Sequence, residues 1–249
     1  MIIDNPSPRH IPALRAIWKQ AFGDSEEFLD NFFATGFSCS TCRCVFREGE
    51  PAAAVYVFDC LWQEEKVAYL YALAVEKSHQ KQGLSRLLLA DTHAWLQQQG
   101  YRGAVMEPAT ESLRAYYQRL GYRAFAGYRE TVHFAGGEAL PFVVLGELGY
   151  EQARRKLLPE GGIIQEGVFT RLLNTQAELY GGQGYAAAVS RQGGHILEFL
   201  GDPARIPGFL KALGTEKATV RTPIGDKTAV YLDFFGREAL PAYFGIPLD

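Results

Sequence analysis

Hydrophobic and polar positions follow two different periods along the first half of this chain. Apolar side chains recur every three to four residues in some segments, which is typical of helices with one buried face. Other segments are short apolar runs rich in β-branched and aromatic residues, bounded by turn-forming residues, which is typical of strands. The patterns predict helices at 11–22, 25–33, 83–99 and 111–120 and strands at 41–47, 52–61, 67–75, 103–107 and 123–134.

The second half follows a glycine-containing stretch at residues 135–138, which marks a plausible domain boundary. We therefore expect two domains, residues 1–137 and 138–249. The elements predicted in the second are helices at 150–158, 167–180 and 204–213, a hairpin of strands 185–190 and 195–199, and strands at 218–221 and 228–235.

Composition excludes several classes of protein. With 249 residues, 47% hydrophobic and 21% charged, the chain can build a packed core. A net charge of −3 without a basic block argues against a nucleic-acid partner. No apolar run is long enough to span a membrane, and the first residues lack a signal-peptide pattern, so we expect a cytoplasmic protein. Formation of a homo-oligomer is left open as an alternative.

Four cysteines, Cys39, Cys42, Cys44 and Cys60, raise the question of a metal site. Zinc sites usually draw four ligands from two spaced pairs, whereas here the spacing is CxxCxC with no nearby histidine. We therefore expect no bound metal and reduced, partly buried thiols. Zinc binding stays the alternative.

The stretch from Tyr69 to Leu88 carries the strongest chemical signal. A strand ends near Glu76, and a polar loop then leads into a helix. The N-terminus of a helix presents free backbone N–H groups and partial positive charge, so it suits a phosphate group. A glycine there lets a ligand approach the backbone closely. The loop residues predicted to bind are Gln80, Lys81, Gln82, Gly83, Leu84 and Ser85.

This stretch resembles the acyl-CoA motif of the GNAT superfamily of N-acetyltransferases. Gln80, Gly83 and Ser85 occupy its three fixed positions, although Gly or Ala is usual where Ser85 stands. The resemblance implies a GNAT fold with a mixed α/β sheet over residues 1–134 and acetyl-CoA as co-substrate. It also implies that the backbone of Leu73, Ala74 and Val75 binds the pantetheine arm.

The resemblance extends to a possible general acid. GNAT domains often carry a tyrosine four residues before a Gly-Phe or Gly-Tyr pair, and Tyr117 stands before Gly121-Tyr122 in this way. A tyrosine hydroxyl is a donor at neutral pH and could serve the departing CoA thiolate. The family often has a CoA-contacting asparagine where this chain has Thr110. Ser112 is the predicted substitute. A tyrosine that only packs on the sheet is the alternative for Tyr117.

The second domain looks like a reduced GNAT unit without a cofactor loop, because residues 199–203 replace the loop and include Asp202, which would repel a pyrophosphate. This organisation resembles the enhanced intracellular survival acetyltransferases. We therefore expect one acyl-CoA site. Two carboxylates are candidate general bases. Glu107 ends a predicted strand, and Asp249 would act through the chain's terminal carboxylate as that resemblance implies.

Two functions remain open at this point. One is transfer of an acetyl group from acetyl-CoA to a primary amine of a small molecule or peptide. The other is a non-catalytic acyl-CoA sensor on the same scaffold. The pattern does not identify the amine, although Phe28, Phe32, Phe33 and Phe37 could form a wall of its site or simply part of the core.

Overall fold

The computed structural model describes residues 1–246, apart from the side chain of Lys227. It divides into two compact units. The first contains Met1–Cys60, Glu64–Met106 and Leu232–Glu238, and the second contains Leu61–Gln63, Glu107–Tyr231 and the described residues from Ala239 onwards. These units differ from the division at residue 137, which stays a prediction. In particular, residues 107–134 fall in the second unit.

The first unit is a mixed sheet with helices. Its strands lie in the order β1-β2-β3-β4-β5, with β1–β2 and β2–β3 antiparallel and β4–β5 parallel. Its elements are β1 (Ile2–Asp4), α1 (Ile11–Phe22), α2 (Glu26–Asn31), β2 (Cys42–Arg47), β3 (Glu50–Trp62), β4 (Glu65–Val75), α3 (Leu84–Gln98) and β5 (Gly103–Met106).

An aromatic cluster fills part of the first unit's core. The Trp18 ring lies 4.4 Å from Phe32 and 4.9 Å from Tyr56, measured between ring centroids. All three side chains are buried. Tilted and edge-on contacts at such distances add to the gain from burying the rings. Phe32 is therefore a core residue, whereas Phe28, Phe33 and Phe37 are only half-buried.

The cysteines are thiols in the described structure. Cys42, Cys44 and Cys60 are buried, and the Cys42 and Cys44 Sγ atoms lie 3.7 Å apart. Burial raises the pKa of the Cys42 thiol well above its usual value, and the neighbouring Cys44 adds to this. Within residues 1–246, no cluster of three or more His, Cys, Asp or Glu side chains could hold a metal ion.

The second unit contains the remaining elements. They are α4 (Glu111–Arg119), β6 (Arg123–Phe134), β7 (Val143–Val144), α5 (Glu147–Leu157), β8 (Ile164–Gln165), α6 (Val168–Gln176), β9 (Ala177–Gly182), β10 (Tyr185–Ser190), β11 (His195–Gly201), α7 (Ile206–Leu213) and β12 (Lys217–Asp233), whose last two residues belong to the first unit. Strand β11 pairs parallel with β12, while β9–β10, β10–β11, β7–β9 and β6–β12 are antiparallel.

Both units repeat one order of elements. In the first it is α1, α2, β2, β3, β4, α3, β5, and in the second it is α5, α6, β9, β10, β11, α7, β12. In each, a helix leads into a strand that pairs parallel with the strand before the helix. The predicted fold class, a GNAT fold followed by a reduced GNAT-like α/β unit, is confirmed. Among the helices of residues 1–246, none is long and apolar enough to cross a bilayer.

Several predicted boundaries were wrong. The helix predicted at 167–180 ends at Gln176, because Ala177 turns to an extended backbone and opens β9. The strands predicted at 218–221 and 228–235 are one strand, β12, whose pairing with β6 shifts register between Pro223 and Thr228. Such a bulge interrupts the sequence pattern without ending the strand. The short strands β1, β7 and β8 were not predicted.

A buried carboxylate organises the second unit. Glu198 in β11 is fully buried and accepts two hydrogen bonds from Arg154 in α5, at 2.8 and 3.0 Å. It accepts two more from the hydroxyls of Tyr150 and Tyr243, at 3.0 and 2.9 Å. A buried charge is tolerated only when it is paired and hydrogen-bonded, so this network ties α5, β11 and the segment around Tyr243 together.

Replacing Glu198 tests how strongly this network supports the fold. We expect Glu198→Gln to lower the free energy of unfolding by about 3–5 kcal/mol, because Arg154 would remain buried without its counter-charge. Urea unfolding followed by circular dichroism measures the change. The matched control is Glu166→Gln, which breaks the exposed pair with Arg155 and should cost less than about 1 kcal/mol. Equal losses in the two variants would contradict the assignment.

Candidate active site

Strand β4 extends beyond its pairing with β5. The parallel register joins Val67 to Gly103 and Tyr69 to Val105, and β4 then continues to Val75. The predicted pantetheine-binding residues Leu73, Ala74 and Val75 lie in this extension. A backbone that leaves its neighbouring strand has N–H and C=O groups that need other partners, so the extension suits a ligand that pairs like a strand.

Within the extension, Ala72 has a left-handed backbone with φ of 50°. L-residues other than glycine rarely adopt this conformation, because the Cβ atom crowds the backbone. A left-handed residue inside a strand changes the direction of the chain locally. It separates the part of β4 paired with β5 from the part that runs to Val75.

Hydrogen bonds fix the loop after β4 at its start. The Glu76 amide donates to the Ala52 carbonyl and the Lys77 amide donates to Gln20 Oε1, both at 2.9 Å. The Glu76 carboxylate accepts from the Ser78 amide at 2.9 Å and lies 2.9 Å from His79 Nδ1. The Ser78 hydroxyl and the His79 ring lower the pKa of the Glu76 carboxyl below its usual value.

The two glutamines of the motif brace the same loop. Gln80 Nε2 donates to the Val75 carbonyl at 3.2 Å, and Gln82 Nε2 donates to the Ser78 carbonyl at 3.2 Å. Between them, Lys81 is left-handed with φ of 60°. The loop therefore folds back on the end of β4 through side-chain amides.

Helix α3 begins at this loop with an N-cap that has no side chain. Gly83 is left-handed, with φ of 77°, and an added Cβ would meet no atom within 4 Å. The first helical hydrogen bond runs from the Leu87 amide to the Gly83 carbonyl, at 3.2 Å. Leu84 anchors the turn in the core, while Ser85 is half-buried. The start of α3 thus offers space and amide groups to an anion.

Positive charge accompanies this helix start. Lys77, Lys81 and Arg86 are exposed and form no ion pair with any other residue in the described part of the chain. His79 differs, because it contacts the Glu76 carboxylate. Lysine and arginine side chains next to free amides favour a polyanionic ligand such as a pyrophosphate.

Tyr117 belongs to the second unit, in α4. It is buried, and its ring lies 5.4 Å from Tyr116 and 5.8 Å from Tyr122. Burial raises the pKa of Tyr117 to about 12, and Tyr116 contributes to the shift. The phenol therefore keeps its proton at neutral pH and can act as a hydrogen-bond donor.

The other predicted residues of the second unit lie around the start of α4. Thr110 caps the helix, accepting from the Leu113 amide at 3.2 Å, and its Oγ1 lies 3.0 Å from the Oγ of exposed Ser112. Glu107 is half-buried in the segment between β5 and α4. The second proposed base, Asp249, lies outside the described residues.

The comparisons with known proteins concern the fold. A family model described as acetyltransferase (GNAT) family matches residues 11–122. This part of the chain is therefore similar to GNAT acetyltransferases. No curated protein matches the chain.

Solved GNAT structures share the fold over most of the chain. A GCN5-related N-acetyltransferase from Kribbella flavida has a TM-score of 0.69 at 13% identity, covering 92% of this chain and 70% of its own. One from Anabaena variabilis has a TM-score of 0.66 at 17% identity, covering 92% and 72%. Eis1 from Mycobacterium abscessus has a TM-score of 0.64 at 12% identity, covering 94% and 72%. At such identities the likeness shows the fold alone.

Three features of this candidate site were not predicted from the sequence. Gln20 in α1 holds the Lys77 amide from a distance of 57 positions, which no local pattern signals. The left-handed turn at Ala72 has no glycine to reveal it. Glu76 could have been found, because an acidic residue two positions before Ser78 is typical of a side chain that caps the next turn.

Ala72 offers a test of the backbone at this site. Ala72→Gly should change the free energy of unfolding by less than about 0.5 kcal/mol, because relief of left-handed strain offsets the gain in unfolded-state entropy. The matched control is Ala74→Gly in the same strand, where φ is not positive and the side chain is buried; it should cost about 1 kcal/mol. Urea unfolding measures both. Equal losses would mean that Ala72 is not strained.

Proposed function

We propose that this protein transfers an acetyl group from acetyl-CoA to a primary amine. The observation that carries the proposal is the continuity of two features. Strand β4 runs past its pairing with β5, and its end leads through a braced loop into an α3 start that has no side-chain cap. Acetyl-CoA has an extended pantetheine arm with a pyrophosphate at one end. The arm matches the unpaired end of β4, and the pyrophosphate matches the start of α3.

Each part of acetyl-CoA has proposed partners. The pyrophosphate would take the amides around Gly83 and Ser85, with Lys81 as a proposed cation beside them. The loop residues Gln80 and Gln82 would keep those amides in place, and Leu84 would fix the helix start in the core. The backbone of residues 73–75 would pair with the pantetheine amides, and Ser112 is a further proposed contact of the cofactor.

The reaction places simple demands on the remaining residues. The neutral amine attacks the thioester carbonyl, the C–S bond breaks, and CoA leaves as a thiolate. The proton released by the attacking amine passes to a carboxylate, for which Glu107 and Asp249 are the candidates, directly or through water. The acceptor is a small-molecule or peptide amine, and half-buried Phe33 and Phe37 are candidates for its wall.

The pKa of Tyr117 limits its role as a proton donor to the leaving thiolate. An ordinary thiol has a pKa of about 8.5, whereas the pKa of Tyr117 is about 12. Complete proton transfer from this phenol to a thiolate would therefore cost about 5 kcal/mol. We assign Tyr117 the role of a hydrogen-bond donor that stabilises the thiolate as it forms, and the thiolate takes its proton from solvent.

The first experiment measures acetyl-CoA binding. Acetyl-CoA at 100 times its Kd should stabilise the protein by about 2.7 kcal/mol and raise the Tm accordingly. Gly83→Glu should abolish the shift, because it adds a negative side chain at the phosphate site. The matched control is Gly100→Glu at the other end of α3, where the glycine is also left-handed and a Cβ also meets nothing within 4 Å. That variant should keep the shift. Calorimetry that detects no binding to the unmodified protein would refute the proposal.

The second experiment separates an enzyme from a sensor. We expect Tyr117→Phe to lower kcat about 100-fold, because it removes a donor from the developing thiolate, while the Kd of acetyl-CoA changes less than twofold. Release of free thiol across a library of amines measures the rate. Tyr116→Phe, one position away on α4, should keep full activity. A protein that binds acetyl-CoA but releases no thiol with any amine would instead support the sensor function.

A further inference from the structure

A cavity of about 640 Å³ lies within the second unit, away from the residues assigned above. Three segments line it and leave one side open to solvent: residues 141–145, one face of α5, and the turn that joins β9 to β10. This volume falls in the range of small-molecule sites, which are mostly apolar with a few polar groups. Its lining is of that kind, with Phe142, Leu145, Leu157 and Tyr185 among the apolar walls.

Hydrogen bonds connect the walls of the cavity to one another. The Tyr185 hydroxyl donates to the Pro141 carbonyl at 2.9 Å, and the Leu145 amide donates to the Leu179 carbonyl at 2.8 Å. Between these points Val143 pairs with Gly181 across β7 and β9. A preformed apolar cavity loses little conformational entropy when it is filled, which favours binding.

Glycine makes the shape of the cavity possible. A Cβ at Gly181 would lie 2.6 Å from Leu145 Cδ1, and a Cβ at Gly182 would lie 2.2 Å from the Tyr185 ring. Both distances are too short for real contacts, so larger residues would displace two of the apolar walls. The bare backbone of β9 lets Leu145 and Tyr185 pack there.

The lining of the cavity contains a positive charge and no carboxylate. The face of α5 that borders the cavity contains Gln152, Ala153 and Lys156, at helical spacing. Lys156, which is exposed, is the one charged side chain among the lining residues, and it forms no ion pair with another residue in the described part of the chain. The nearby acid Glu151 is occupied, since it accepts from the Gly167 amide at 2.7 Å. The site therefore complements an apolar body with one negative charge.

We propose that this cavity binds an unbranched aliphatic carboxylate, with the chain among the apolar walls and the carboxylate at Lys156. The hydrophobic walls supply the affinity and the ammonium group supplies the selectivity for an anion. The inference goes beyond acetyl transfer, because it concerns a second ligand in the unit that lacks a cofactor loop.

A homologous series tests the apolar part. Hexanoate, octanoate and decanoate are titrated into the full chain by calorimetry. We expect the Kd to fall about fourfold for each methylene added, until the chain fills the cavity. Octanol, which has the same chain without the charge, should bind at least tenfold more weakly than octanoate. Absence of saturable binding for all three acids, or equal binding of octanol and octanoate, would overturn the proposal.

Variants locate the site. Lys156→Gln should weaken octanoate about tenfold and leave octanol unchanged. Arg155→Gln is the matched control, since Arg155 lies on the same turn but pairs with Glu166 outside the cavity. Ala153→Phe should fill the cavity and abolish binding of both ligands. If that variant does not fold, Gln152→Trp at the exposed rim gives the same test. Unchanged octanoate affinity in the filled variants would place the ligand elsewhere and overturn the proposal.

Two further outcomes separate this inference from its competitors. Gly83→Glu should retain octanoate binding, so failure at the acetyl-CoA site and failure at this cavity are distinguishable. A second copy of the chain is the other occupant that the exposed Val143 and Val144 at its rim could admit. If Val143→Lys dissociates a dimer in solution and octanoate binds neither the dimer nor the dissociated chain, the cavity is an interface between copies and the proposal fails.

Discussion

A strand that loses its neighbour partway along must satisfy its remaining backbone groups elsewhere, and β4 is such a strand. The last residue of β4 that pairs with β5 is Tyr69, which lies opposite Val105. Strand β4 continues for six more residues, to Val75. The left-handed Ala72 lies within that extension and turns the chain away from the paired part. The loop, the start of α3 and the proposed path of the cofactor all follow from where this pairing stops.

The two units show that the same order of elements does not by itself make a cofactor site. In the first, the N-cap of α3 is Gly83, which leaves the helix start open. In the second, Asp202 precedes α7, and its carboxylate accepts from the Ala204 amide at 2.9 Å. That carboxylate occupies the place an anionic ligand would need and adds a like charge. This difference at the equivalent turn supports the proposal of a single pyrophosphate site, in the first unit.

Sequence pattern predicted the elements of the first unit other than β1 within two residues, because long apolar runs and glycine turns are local signals. It failed where tertiary contacts override local preference. Residues 177–180 continue a helical pattern, yet they pair with β10 as a strand. The bulge in β12 and the two-residue β7 exist only because a neighbouring strand is present. The motif around Gly83 could be predicted because its residues are consecutive in sequence. The hydrogen bond from the Lys77 amide to Gln20 could not, because the two residues are far apart in sequence.

The burial of Tyr117 excludes this side chain as the general base of the proposed reaction. Because burial raises its pKa to about 12, this phenol cannot accept the proton released by the attacking amine at neutral pH. In the proposed reaction, a primary amine acceptor is itself largely protonated there, so the small fraction of neutral amine lowers the rate at low pH. The strand segment from Tyr69 to Ala72 contains no carboxylate that could serve. The rate should therefore follow the ionisation of the amine more closely than that of any buried side chain, and a weakly basic amine would be the better acceptor.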